Sequence, residues 1–251
     1  MRKKAFTLIE LLVVISVIAL LTAILMPALA GARQRGRSIA CLSNLRQMVI
    51  AAQTYTNDND DYFPMVLITK VDGSLFKLCA WDFTTVYDSG QRYVEAGLLW
   101  GDEMMERIQQ CPSFRGAANW AVDPYTGYNY NSSYIGGSAA VNNGQVVLGT
   151  VVMSSKVSEV IRPGECAIFG DGQWADGANK FMRSPLPGKL DAFFSGRYAG
   201  TQGYRHLGRT NVAYCDGSVK SVRGCHKGTD PANIAEGTGF LSADNIAYDL
   251  E

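Results

Sequence analysis

The chain has 251 residues, 47% hydrophobic and 18% charged, with 23 basic against 23 acidic side chains and a formal net charge of zero. That length suits one anchored segment plus a globular domain, or two small domains, and the charge balance argues against a nucleic-acid binder, which shows a basic excess. The six cysteines (Cys41, Cys79, Cys111, Cys166, Cys215 and Cys225) form no CxxC pair; in an exported domain disulfides are plausible, but the spacing does not select a pairing.

Arg2, Lys3 and Lys4 precede a long apolar run. Leu11 to Ala32 is 22 residues without a charge, and only Ser16 and Thr22 carry polar side chains. As a helix this stretch is about 33 Å long, against a hydrocarbon core of about 30 Å. Glu10 stands at its mouth, where a carboxylate is costly: about 2.5–3.5 kcal/mol at the centre of a spanning helix. An ordinary secretory signal fits the basic start and the Pro27-Ala28-Leu29-Ala30 segment as a cleavage site, but its apolar region spans only about 7–15 residues and Glu10 goes unexplained. A plain membrane anchor fits the length, yet Arg33, Arg35 and Arg37 directly beyond the run weaken the charge asymmetry that would orient it.

A third reading uses the whole string. Lys4-Ala5-Phe6-Thr7-Leu8-Ile9-Glu10 resembles the processing site of type IV pilins and of type II secretion pseudopilins. The resemblance implies cleavage between Ala5 and Phe6 by a prepilin peptidase and N-methylation of Phe6. It places Glu10 at the family's glutamate and Pro27 at its helix-bending proline. The family prefers glycine before the cut, where this chain has Ala5. The implied protein is a single-pass subunit of the bacterial inner membrane, N-terminus cytoplasmic and head periplasmic or extracellular. It rests in membrane lipid until an inner-membrane assembly platform draws it into a filament with other pilin-like subunits. The new amine of Phe6 lies four residues from Glu10, so pairing within one helix is open; a neighbouring helix displaced along the axis offers its own amine to this carboxylate, which favours ordered stacking.

Beyond Pro27 the pattern turns amphipathic: Ile39, Leu42, Leu45, Met48/Val49, Ala52 and Tyr55 recur at three-to-four spacing. The helix is expected to run to about Thr56, where NDNDDYFP (57–64) stops it. The two halves make one helix of about 50 residues, or about 75 Å, kinked at Pro27 and loosened by Gly31 and Gly36. The expected organisation is a leader (1–5), a transmembrane and assembly helix (6–32), an amphipathic helix on the head (33–57) and a globular head (58–251).

Within the head, strand-like runs cover Met65–Thr69, Gly127–Ile135, Gln145–Val152, Cys166–Phe169, Asn211–Cys215 and Ser218–Arg223, with a weaker helical signal over Ala96–Gln109. Glycine- and proline-rich links separate them. The fold class is α+β: a long N-terminal helix packed on a mainly antiparallel, pilin-like head. Asp216-Gly217 between alternating runs is a strong hairpin signal within 209–223; a two-residue turn there sets Cys215 opposite Ser218 and Tyr214 opposite Val219. His206, Asp216 and Gly217 also resemble the His-x9-Asp-Gly signature of large-headed pilin-like proteins, with CPSF (111–114), GYNYNSSY (127–134) and RPGECAIFGDG (162–172) as its companions.

The sequence offers no persuasive catalytic constellation. It has two histidines, no GxSxG and no HExxH, so a structural subunit rather than an enzyme is expected. His206 and Asp216 are ten residues apart, about 33 Å in extended chain, and meet only if the chain folds back, for instance at Gly208. His206, Cys215, Cys225 and His226 are zinc-type donors without paired ligand spacing. No cofactor is expected; Asp171, Asp176, Asp244 and Asp249 are weak calcium candidates by residue type. The rival reading is an exported or membrane-anchored binding domain, adhesin-like, behind an ordinary signal sequence.

Overall fold

A computed structural model describes residues 8–101, 108–120, 122–191 and 196–251; Ala5 and Phe6 lie outside them. A single helix, α1 (Leu8–Asp58, 51 residues), carries both halves of the expected N-terminal region and continues through Pro27. The hydroxyls of its apolar stretch turn back on their own backbone. Ser16 donates to the Val13 carbonyl at 2.8 Å, and Thr22 to those of Ile18 and Ala19 at 2.8 and 2.9 Å. Neither polar side chain then needs a partner from its surroundings. The helix stops where Asp60 and Asp61 adopt positive φ (52° and 71°) and the Asp61 N–H returns to the Thr56 carbonyl at 3.1 Å.

The head contains strands β1 (Leu67–Asp72), β2 (Leu75–Ala80), β3 (Phe83–Asp88), β4 (Gln91–Ala96), β5 (Asn129–Asn131), β6 (Ser138–Asn142), β7 (Gln145–Val146), β8 (Ala167–Gly170), β9 (Phe181–Met182), β10 (Gln202–Gly203), β11 (Thr210–Tyr214), β12 (Val219–Val222) and β13 (Thr238–Gly239). They form a six-stranded sheet ordered β4-β3-β2-β1-β6-β7, a five-stranded sheet ordered β12-β11-β8-β5-β9, and a β10-β13 ribbon. Pairing is antiparallel except at β1–β6 and β5–β9. The α+β, mainly antiparallel expectation holds.

Several local expectations are corrected. The run 67–96 folds as a meander of three hairpins, β1–β2, β2–β3 and β3–β4, whose first and last loops are Gly73-Ser74 and Ser89-Gly90. Both residues of the last loop have positive φ (48° and 85°), the signature of a primed hairpin turn. Ala96 ends β4 and residues 98–101 form a turn, so the described part of Ala96–Gln109 holds no helix. Of the runs Gly127–Ile135 and Gln145–Val152, only Asn129–Asn131 and Gln145–Val146 become strand. The C-terminal hairpin is shifted by one residue. Ala213, not Tyr214, lies opposite Val219, and the Tyr214 N–H donates to the Ser218 carbonyl at 2.9 Å. The loop is therefore Cys215-Asp216-Gly217, closed by Gly217 at φ +83°, a three-residue hairpin loop ending in a left-handed glycine.

α1 packs against β8, β11 and β12. Its buried residues are Cys41, Leu45, Met48, Val49, Ala52 and Thr56, and all but Thr56 share one core with Trp81, Tyr130, Ile168, Phe169 and Ala213. Trp81, Tyr130 and Phe169 cluster with ring centroids 5.2–5.8 Å apart. The stripe is thus centred on Cys41 rather than Ile39, which is 68% exposed. Along β11 the faces alternate: Ala213 points into the helix core, while Val212 and Tyr214 join a second cluster with Ile234, Phe240, Leu241 and Tyr248.

One buried ion triad ties the two sheets. The Lys180 ammonium lies 2.9 Å from both Asp82 and Asp123 and 4.0 Å from the Trp120 ring centre. One cation shared by two buried carboxylates leaves an excess negative charge; burial foremost, with Asp82 adding, pushes Asp123 up to about 6 against the pull of Lys180. Lys180→Met should cost about 3–5 kcal/mol of unfolding free energy by denaturant titration, since it strands both acids. Asp123→Asn should cost much less near pH 7. Because the folded pKa lies above the unfolded one, the native state takes up a proton first, so wild type should gain on Asp123→Asn as the pH falls from about 7 to about 5. Parallel pH profiles for the two proteins would contradict this account.

Candidate functional site

Two regions gather residues singled out from sequence: the exposed half of α1 and the junction between α1 and the head. In the first, residues 8–29 expose almost every large apolar side chain, among them Leu11, Ile15, Ile18, Leu21, Leu25 and Met26. Glu10 lies in the first turn of the helix, on that exposed apolar surface. Pro27 lies near the end of the same stretch.

The junction is built around Asp171, which follows β8 and is fully buried. Its Oδ2 accepts the Asn211 backbone N–H at 2.7 Å and lies 3.2 Å from His206 Nε2; its Oδ1 accepts from Arg205 Nη2 at 3.0 Å and from the Cys41 thiol at 3.2 Å. Cys111 completes the group, with its Sγ 3.6 Å from His206 Nε2, 4.0 Å from Cys41 Sγ and 3.3 Å from Arg205 Nε. Four segments distant in sequence converge here: α1, the loop at Cys111, the end of β8 and residues 205–211. Glycines on either side of Asp171 permit it: a Cβ at Gly172 would fall 2.0 Å from the Asn179 carbonyl oxygen, and one at Gly170 2.3 Å from Gln202.

The charges are mutually supporting. Burial opposes ionisation of Asp171, but Arg205 and His206 outweigh it and hold the carboxyl below its usual range. Burial likewise opposes charge on His206, yet its bonds to Asp171 and Cys111 raise it to about 9. Burial would raise the Cys111 thiol, and its contact with Cys41 together with the nearby Arg205 and His206 brings it down to about 5 instead. Cys41 is raised by burial first, then by its bond to Cys111 and the Asp171 charge.

The signature residues act at two points on one helix. His206 sits beside Cys41. The chain folds back at Leu207-Gly208 (φ 56° and 73°), with His206 and Arg209 exchanging backbone bonds of 3.0 and 3.2 Å. This is the fold-back at Gly208 that a pairing with Asp216 required, but it delivers His206 to Asp171. From there β11 runs beside α1. Asn211 Nδ2 donates to the Ser38 carbonyl at 3.2 Å, and at the far end the Arg46 guanidinium donates to the Gly217 carbonyl. Asp216 is exposed and turns inward on its own loop, accepting the Ser218 N–H at 2.8 Å. The nine-residue interval between His206 and Asp216 is thus the length of a turn plus a strand that grips the helix twice.

The other candidates disperse. Asp176 and Asp244 are exposed in separate loops, and Asp249 lies near the C-terminus; among the described residues, Asp171 alone of the four belongs to a convergent donor group. Of His206, Cys215, Cys225 and His226, only His206 does. Cys215 neighbours Cys166, and Cys225 contacts the Thr238 carbonyl. All six cysteines are free thiols. Cys41, Cys111 and Arg205 escaped sequence reading as site residues, although CPSF (111–114) was already marked as motif.

Comparison with known proteins agrees with this architecture at the N-terminus. Residues 1–26 match the family model of the prokaryotic N-terminal methylation motif, and the long apolar helix that carries this motif is similar to the N-terminal region of type IV pilin-like proteins. Over 59 residues it is 44% identical to the type IV wide pilus major component PilA4 of Thermus thermophilus, a stretch that is 24% of this chain and 45% of that protein. The chain therefore spans less than half the length of that relative. No solved structure matches the chain.

The left-handed backbone of Gly217 and its closeness to Arg46, whose Nη1 would lie 3.1 Å from an added Cβ, make a specific demand. Gly217→Ala should lower the unfolding free energy by about 1–2 kcal/mol, with Gly217→Asn milder because asparagine tolerates positive φ. Denaturant titration of the two variants checks the order; equal stability of Gly217→Ala and wild type would remove the constraint.

Proposed function

We propose that this chain is a structural subunit of a type IV pilus-like or type II secretion pseudopilus-like filament. The observation that carries the reading is the exposed half of α1. A window of 18 residues there has a mean hydropathy of 2.9 and none of it is buried by the rest of the chain. A surface of that size and polarity needs lipid or other apolar helices around it. In the proposed cycle the helix rests in the inner membrane with its N-terminus cytoplasmic and the head outside. A prepilin peptidase cuts between Ala5 and Phe6 and methylates Phe6, and an assembly platform moves the subunit from lipid into a helical bundle of like subunits. There the Glu10 carboxylate meets the Phe6 amine of an adjacent subunit, which fixes the stagger of the stack. Removal of the leader takes away three cations, leaving 20 basic against 23 acidic side chains. The mature surface is therefore weakly anionic, and nucleic acid is not an expected partner.

Mass spectrometry of protein from its native cells should show an N-terminus at methylated Phe6. A start at Gly31 would instead mark an ordinary secretory signal, and an intact leader a plain anchor. Glu10→Ala should leave the membrane-bound amount unchanged while reducing recovery in sheared filaments by at least about tenfold, the loss that a buried pair worth over about 1.4 kcal/mol predicts. Normal incorporation of that variant would refute the role given to Glu10.

A further inference from the structure

We propose that Cys41, Cys111, Asp171 and His206 form a structural zinc site that staples α1 to the head. Their donor atoms all lie within 4.8 Å of one another, and all four residues are buried. The spacing is that of a tetrahedron's edges. Zinc held by sulfur at about 2.3 Å, nitrogen at about 2.05 Å and oxygen at about 2.1 Å sets S···S at about 3.8 Å, S···N and S···O at about 3.6 Å and N···O at about 3.4 Å. Four contacts are bonded here: 4.0 Å for Cys41–Cys111, 3.6 Å for Cys111–His206, 3.2 Å from Cys41 to Asp171 Oδ1 and 3.2 Å from His206 to Asp171 Oδ2. All donor pairs lie within 4.8 Å, so closing on a central ion through one Asp171 oxygen asks for side-chain shifts of up to about 1 Å.

The donor set selects the metal. Two thiolates disfavour calcium and magnesium, which take oxygen ligands, while sulfur, imidazole and carboxylate in a four-donor cage suit zinc. Four protein donors in a buried group leave no open position, so the site is structural rather than catalytic. Charge also balances. Two thiolates and one carboxylate around a divalent ion leave one negative charge, and the Arg205 guanidinium, 3.3 Å from Cys111 Sγ and 3.0 Å from Asp171 Oδ1, supplies the counter-charge. Binding releases the protons held by the thiols and the imidazole to solvent, since zinc takes thiolate and neutral imidazole ligands. The links cross 70, 95 and 130 residues of sequence, joining the helix to a loop, the end of β8 and the turn before β11.

The test uses the full-length chain purified in detergent and reads metal content directly, so it stands apart from the filament reading. Elemental analysis after zinc exposure and gel filtration should give about one zinc per chain, and cobalt substitution should give thiolate-to-cobalt charge-transfer bands of a tetrahedral site. Cys41→Ser, Cys111→Ser and His206→Leu should lose the metal. Cys225→Ser, outside the group, should keep it, and His206→Cys, which restores a donor, should recover binding that His206→Leu lacks. Failure to bind zinc at micromolar concentration overturns the proposal. So does zinc retained by the Cys41→Ser/Cys111→Ser double variant, or a Cys41–Cys111 disulfide in protein taken from its native cells.

Discussion

Asp171 is a carboxylate with no access to water, and a buried charge is tolerated only where partners surround it. Its partners arrive from everywhere: Cys41 on the helix, Arg205 and His206 on the loop before β11, and the backbone of Asn211 on β11 itself. Meeting that requirement brings α1 alongside β8 and β11, and the apolar residues either side follow. Leu45, Met48, Val49 and Ala52 close over Ile168, Phe169 and Ala213. The polar junction fixes where the helix lies along the sheet, and the apolar seam supplies the area that holds it there.

The same helix serves two environments. Up to about Leu29 its large side chains are exposed and apolar; from Cys41 onward one face belongs to the core of the head. The intervening turns, with Gly31, Arg33, Arg35, Gly36 and Arg37, touch little, and an added Cβ at either glycine would meet nothing within 4 Å. Within one chain nothing there requires glycine. Small residues at that level instead leave room for another helix to approach closely.

The helix was legible because its signals agree: a charge-free run, then a three-to-four stripe, then NDNDDYFP as a stop. The stripe was centred a little off, since Ile39 and Cys41 are both apolar and only the approach of the head decides which turns inward. The hairpin at Asp216-Gly217 was legible in its turn residues but not in its register, because a three-residue loop with a left-handed glycine and a two-residue turn share the same letters. The β1–β4 meander carried comparable marks at Asp72-Gly73 and Ser89-Gly90, yet lysines, threonines and an arginine blur the alternation in its half-exposed strands. The Cys41–Cys111–Asp171–His206 group was the least legible. Each residue sits in a segment with its own local logic, and only tertiary folding across as many as 165 positions of sequence makes them neighbours.

The grip of the head on its helix is spread rather than concentrated. It runs from Asn211 at Ser38, through the cluster at Cys41 and Asn44 Nδ2 donating to the Gln110 carbonyl and the Tyr128 hydroxyl, to the Gly217 carbonyl at Arg46. A tug along the helix axis would load these attachments together instead of peeling them one by one. Attachments strained in parallel share the load, so the globular part resists being stripped from its stalk far better than any one of them alone would allow.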